Sequence, residues 1–172
     1  MRVKLNRDFV LYIIVAIVCI SVLTFGLDSR EVFNVSMLPT IDPGDYVMAN
    51  RFSYLVGKPK RGDVVIINAR RTNERDLIKR VIALPGDSVE AYANTVYVNG
   101  AALVEPYIME PVDYMLPAQT IPEGSYFVLG DNRNNSNDSH NGWFVPKSDI
   151  TGKVMFVYWP FNRAKIIKHY RQ

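Results

Sequence analysis

Cysteine is almost missing from this chain of 172 residues: the single one, Cys19, lies inside an apolar N-terminal stretch. Everything beyond it must fold without disulfides, which is compatible with an oxidising exterior and does not require one. Histidine is nearly as scarce, with only His140 and His169. No His, Cys and Asp residues recur at metal-ligand spacing, so no metal or other cofactor is expected. A Ser-His-Asp hydrolase would have to draw on His140, which sits in the turn Asp138-Ser139-His140. Internal repeats, low-complexity tracts and helical periodicity are also missing beyond the N-terminal stretch. What remains there is one domain of ordinary size.

A long uncharged run is what the chain does have. Residues 9–27 carry no charge. As a helix rising about 1.5 Å per residue they would span roughly 28 Å, close to the roughly 30 Å hydrocarbon core of a bilayer. A cleaved secretory signal would have a shorter apolar core and a small-x-small site after it. Gly26-Leu27-Asp28-Ser29-Arg30 offers no clean site, so a membrane anchor is expected. Arg2, Lys4 and Arg7 precede the run against one Asp8. Cations gather on the cytoplasmic side, so the expected division is a cytoplasmic 1–8, a transmembrane 9–27 and an outer domain 28–172. Net charge is +3, and Arg163, Lys165, Lys168 and Arg171 form a basic end. It reads as a solvated tail; contact with anionic lipid headgroups is the alternative. No nucleic-acid partner is expected for a domain outside the cell.

The outer domain reads as mainly β. Short runs rich in Val, Ile, Tyr and Phe, bounded by Gly, Pro, Asn or Asp, predict strands at 46–50, 63–68, 77–84, 88–92, 95–98, 125–129 and 154–159. Asn99-Gly100 is a strong hairpin turn, because both residues accept positive φ. Many short strands with close turns point to a barrel or coiled antiparallel sheets.

Three segments carry chemistry. Ser36-Met37-Leu38-Pro39-Thr40 follows the apolar run closely: the nine residues after Leu27 reach at most about 30 Å. A serine before a turn is, on its own, ordinarily a turn-former. Lys79 stands in the run 77–84, where alternation puts Leu77, Val81 and Ala83 on its face and Ile78, Arg80 and Ile82 on the other. Only about one lysine in 2,500 is neutral at pH 7 with an ordinary pKa of roughly 10.4. Burial on an apolar face would lower that value and make a base of the amine; the alternative is a strand-edge lysine whose head reaches solvent over a packed stem. Residues 130–140, dense in Asn, Asp and Ser, read as a polar loop held by side-chain-to-backbone bonds, a surface turn or a functional loop on a rigid scaffold.

Taken together, Ser36-Met37-Leu38-Pro39-Thr40, Arg61-Gly62-Asp63-Val64-Val65, Lys79-Arg80-Val81-Ile82-Ala83-Leu84-Pro85-Gly86-Asp87 and the 130–139 run resemble, in order and after a single anchor, the successive boxes of type I signal peptidases. The resemblance covers nearly the whole chain, in the compact form without a large extra domain. It implies that Ser36 is the nucleophile and Lys79 the general base of a membrane-bound endopeptidase. That enzyme would cleave signal peptides from exported preproteins after small-x-small (Ala-x-Ala-like) motifs through an acyl-enzyme. Ser136 matches the serine that orients the lysine, and Asp138 a structural acid. The Ser36 N–H would stabilise the oxyanion, aided in many relatives by a hydroxyl two residues earlier; here Asn34 stands there, and its amide could donate instead. His140 stands where many relatives have an arginine paired with the acid, and Ala83 replaces a common glycine. By the same resemblance Val32, Met37, Ile41, Leu77 and Ile78 are candidates for shallow apolar pockets, each also readable as core, beside a sheet edge that an extended substrate could join. The implied partners are preprotein signal peptides and the bilayer, with no obligate protein partner.

Three other classes predict different features. A Ser-His-Asp hydrolase leaves the Lys79 box unexplained. A self-cleaving repressor would share the serine and lysine but carry a DNA-binding domain and no anchor. A membrane-anchored binding module would leave Ser36 and Lys79 dispensable. Asn-x-Ser matches at Asn34, Asn134 and Asn137 are read as coincidental, since a glycan there would obstruct the site.

Overall fold

The computed structural model describes residues 6–68 and 76–170; Arg2, Lys4 and Arg171, named above for their charge, lie outside them. The described chain opens in helix α1 (Arg7–Gly26). Asn6 caps it by accepting the Asp8 N–H, and Asp8 adds a negative charge to the first turn, both favourable at a helix N-terminus. The helix ends because Leu27 is already extended and pairs as a strand. Among the described residues no helix qualifies as long and apolar enough to cross a membrane; within α1 the side chains of Cys19, Val22, Leu23 and Phe25 are not among those described.

The described strands are β1 (Leu27–Glu31), β2 (Tyr46–Asn50), β3 (Val64–Ile67), β4 (Leu77–Ala83), β5 (Ser88–Tyr92), β6 (Thr95–Val98), β7 (Ala101–Ala102), β8 (Leu116–Thr120), β9 (Ser125–Leu129), β10 (Val145–Pro146), β11 (Ile150–Trp159) and β12 (Lys165–Ile166), with a one-turn helix α2 (Ser53–Val56) between β2 and β3. All pair antiparallel. One large sheet runs β1-β2-β11-β3-β4-β9-β10 with β12 on β11, and a smaller one runs β7-β6-β5-β8. Coiled antiparallel sheets are therefore the observed form of the expected mainly-β domain. Every expected strand is present, four of them with the expected bounds. The strand expected at 154–159 starts at Ile150, because Gly152 interrupts the apolar pattern while its missing side chain lets it pack against Ala49. The Asn99-Gly100 turn has φ of 53° and 76°, and a second positive-φ turn at Ala93-Asn94 joins β5 to β6.

The strands that the sequence reading misses lie at sheet edges. β1 is polar and has no alternation to detect; it forms because Leu27 to Glu31 pair with Asn50 to Tyr46 of β2. β8 and β10 contain Pro117 and Pro146, which only an edge strand accommodates.

β3 and the later part of β4 are buried on both faces. On one side Val64, Ile66 and Ile78 join Val32, Met37, Ile41, Val47 and Ile167 in a core. On the other Val65, Ile67 and Val81 pack with Val128 and Tyr126, and Leu77 lies against them. Lys79 thus shares its face with Leu77 and Val81 as expected, but not with Ala83. A bulge between Val81 and Ala83 sends Ala83 into a third core shared with the smaller sheet. Of the basic end, Lys165 and Lys168 are exposed as a solvated tail would be, whereas Arg163 donates to buried Asp45 at 2.7 Å and Ile167 is buried in the first core.

Candidate active site

Ser36 opens a turn five residues beyond the end of β1. Its neighbours Met37 and Ile41 are fully buried and plug the turn into the first core, and the Ile41 N–H closes onto Met37 O at 2.9 Å. Both residues pack in the first core behind the serine. Val32, Leu77 and Ile78 do line a surface depression, together with Glu31, Phe33, Asn34 and Asp76.

Lys79 is only 1% exposed, so the strand-edge alternative does not hold. Its strand β4 runs between β3 and β9 and is not at a sheet edge. Burial pushes its pKa down from 10.5 to about 8, against the opposing pull of the Asp138 and Asp131 carboxylates. Lys79 Nζ donates to Ser136 Oγ at 3.0 Å.

Gly130 is where the segments meet. A Cβ at this position would strike both Ser136 Oγ and the Ser36 carbonyl oxygen. Glycine is needed here for close approach, not for φ. The loop is tied to the serine turn on the same side: Asn132 N–H donates to Ser36 O at 3.0 Å and Asn132 Nδ2 to Val35 O at 3.1 Å. Lys79 and Ser36 therefore flank one glycine, through Ser136 and the Ser36 backbone.

The Ser36 hydroxyl donates to Asn34 Oδ1 at 2.8 Å, and the Ser36 N–H points at the same oxygen at 3.4 Å. Asn34 thus presents its carbonyl oxygen to Ser36, not the donating amide nitrogen expected of it, because two donors of Ser36 converge on it. Asp138 is fully buried and accepts three N–H groups: Gly130 N at 2.8 Å, His140 N at 3.2 Å and His140 Nδ1 at 2.7 Å. The imidazole stacks on Tyr114, centroids 4.5 Å apart. His140 fills the place of the arginine by donating to the same acid.

Two buried ion pairs brace the site, and the sequence reading misses both. On the face opposite Lys79, Arg80 donates through Nε and Nη2 to the two oxygens of Asp131, at 2.8 and 2.7 Å, and Thr40 Oγ1 donates to Asp131 Oδ2 at 2.5 Å. Arg133 pairs with Glu105 in the same two-pronged way, at 2.5 and 2.6 Å. Partners 51 and 28 residues apart leave no local pattern. The one local signal is a second charge, Arg80, in the apolar 77–84 run beside Lys79.

Residues 5–159 match the family model described as signal peptidase, peptidase S26. A probable signal peptidase I-1 of Synechocystis is 41% identical over 146 residues, covering 81% of this chain and 74% of that protein. A signal peptidase I of Bacillus licheniformis is 36% identical over 92% of this chain and 91% of its own length. The crystal structure of a signal peptidase I from Enterococcus faecalis superposes with a TM-score of 0.50 at 36% identity, over 57% of this chain and 97% of that one. A buried lysine, a serine turn and a clamped polar loop on coiled β-sheets thus meet a match across most of the length, and the chain belongs to the signal peptidase family, peptidase S26, as a serine peptidase of the signal peptidase I kind.

Proposed function

We propose that Ser36 is the nucleophile and Lys79 the general base of an endopeptidase that cleaves signal peptides after small-x-small motifs. The observation that carries the reading is the buried Lys79 amine: its pKa of about 8 leaves a usable neutral fraction near neutral pH, and it is held beside the serine turn by Ser136. On substrate arrival the Ser36 hydroxyl turns from Asn34 toward Lys79. Oγ attacks the scissile carbonyl carbon while Nζ takes its proton. The Ser36 N–H supports the oxyanion, and Asn34 joins it as a donor only if its amide turns over. Collapse of the intermediate breaks the C–N bond, and the proton on Lys79 passes to the leaving amine. A water deprotonated by Lys79 then hydrolyses the ester and frees Ser36. An extended substrate lies along the edge near β1, its small side chains in the depression lined by Val32, Leu77 and Ile78.

Membrane attachment belongs to the same reading. Helix α1 has 20 residues, about 30 Å of helix, and outward-facing Phe9, Tyr12 and Ile20. Preproteins and the bilayer are the partners, with the catalytic domain on the outer face. The test is purified full chain in detergent with a preprotein bearing an Ala-x-Ala site. Ser36→Ala and Lys79→Ala should each reduce cleavage by more than about a thousandfold. Parent-like cleavage by either variant would sink the dyad.

A further inference from the structure

Residues 160–170 lie beyond the matched family segment, which ends at 159, yet residues 167–170 grip the back of the catalytic strands. Ile167 N–H donates to Met155 O at 2.9 Å. The Lys168 carbonyl accepts from Arg80 Nη1 at 3.0 Å, and His169 Nδ1 accepts the Val64 N–H at 3.3 Å. The Tyr170 backbone approaches Gly62 so closely that a Cβ there would overlap its carbonyl oxygen. The Tyr170 ring leans on Tyr107, centroids 5.1 Å apart, and the Arg80 guanidinium sits over Tyr107 at 4.0 Å and faces Tyr170 at 5.8 Å. Three of these contacts fall on residues 62, 64 and 80, which bracket Lys79 in β3, β4 and the turn before them.

Arg80 is fully buried. Its donors are divided between Asp131, the Gly62 carbonyl and the Lys168 carbonyl. Withdrawing Lys168 and the Tyr170 ring would open that buried guanidinium to water and take away an acceptor, a costly loss for a charged donor. The effect would travel in two directions. Asp131, held by Arg80, also holds Thr40 of the serine turn, and it begins the stretch that leads from Gly130 to Ser136.

We propose that residues 167–170 are a positioning strap: by clamping Arg80 they fix Asp131, and through it the registration of Ser36 against Lys79. This rests on the Ser36–Lys79 reading. Lys79 donates to Ser136, and its charge is drawn by the carboxylates of Asp138 and Asp131; a loosened clamp admits water to the amine and relieves its desolvation.

The experiment uses the full chain in detergent and the same preprotein, with kcat and KM measured across pH. Tyr170→Ala should lower kcat about tenfold with KM within about twofold, the signature of misplaced catalytic groups. It should also move the midpoint of the rising limb upward from about pH 8. Tyr170→Phe keeps the ring and should match the parent. Parent-like kcat and midpoint in a folded Tyr170→Ala enzyme would overturn the proposal. So would a lower melting temperature with unchanged kinetics, which is what mere packing would produce. If Tyr170→Ala does not fold, Tyr170→Leu and His169→Gln take its place: a lowered kcat with a raised midpoint supports the strap, and parent-like kinetics overturn it. A parallel Lys79→Ala enzyme that stayed active would locate the failure in the dyad and not in the strap.

Discussion

Lys79 shows what a single side chain gives up for chemistry. Its ordinary pKa is 10.5 and burial lowers it to about 8, so the unfolded chain holds the proton more tightly than the folded one. The resulting penalty on stability is full below about pH 8, shrinks as pH rises to 10.5, and is gone above that. Replacing the ammonium by an apolar group of similar length removes it. Lys79→Met should therefore raise stability at pH 7 by up to about 3 kcal/mol, less what Ser136 loses as a partner, while abolishing cleavage. Thermal melts at pH 7 and pH 10 check it: the gap between variant and parent should narrow at the higher pH, and a variant that melts no higher at pH 7 would contradict the desolvation account. At this scale the sequence is most legible. Ser36, Lys79, Ser136 and Asp138 are singled out there by their resemblance to the family's boxes. The direction of the Asn34 amide cannot, because it depends on which donors converge on it in three dimensions.

Among the elements, the 130–139 loop decides the site's geometry. Gly130 is the position where the loop, Ser136 and the Ser36 backbone come within contact of each other. Gly130→Ala must push one of them away, and core-like overpacking of this kind costs about 1–3 kcal/mol. The expected outcome is a folded protein with a lowered melting temperature and at least about a tenfold loss of kcat. Unchanged kcat would mean that the loop yields without moving Ser136 or Ser36. Strand alternation finds the central strands, whose apolar residues are buried whatever their partners. It fails at β1, β8 and β10, where pairing to a neighbour replaces burial as the reason for the strand. It also misplaces Ala83, because a bulge changes the phase of side chains and nothing in the local sequence announces it.

Seen whole, the described chain is a helix followed by curled sheets that bury three cores, with a serine turn, a lysine strand and a polar loop brought together by those sheets. The full chain should be recovered with membranes and need detergent for extraction, whereas a chain beginning at residue 28 should be released; full chain in the soluble fraction would count against the anchor. By itself, the sequence determined the order of its parts: an uncharged run, a serine soon after it, a lysine among β-branched residues and a loop of Asn, Asp and Ser. These are matters of composition and short spacing, and residue chemistry limits what each can do. Only the tertiary structure decided that Lys79 is buried, that Met37 and Ile41 pack in the first core, and that Arg80 is shared between Asp131 and the 167–170 segment. Desolvation and buried charge pairing arise from neighbours dozens of residues away, and those neighbours exist only once the sheets have closed around them.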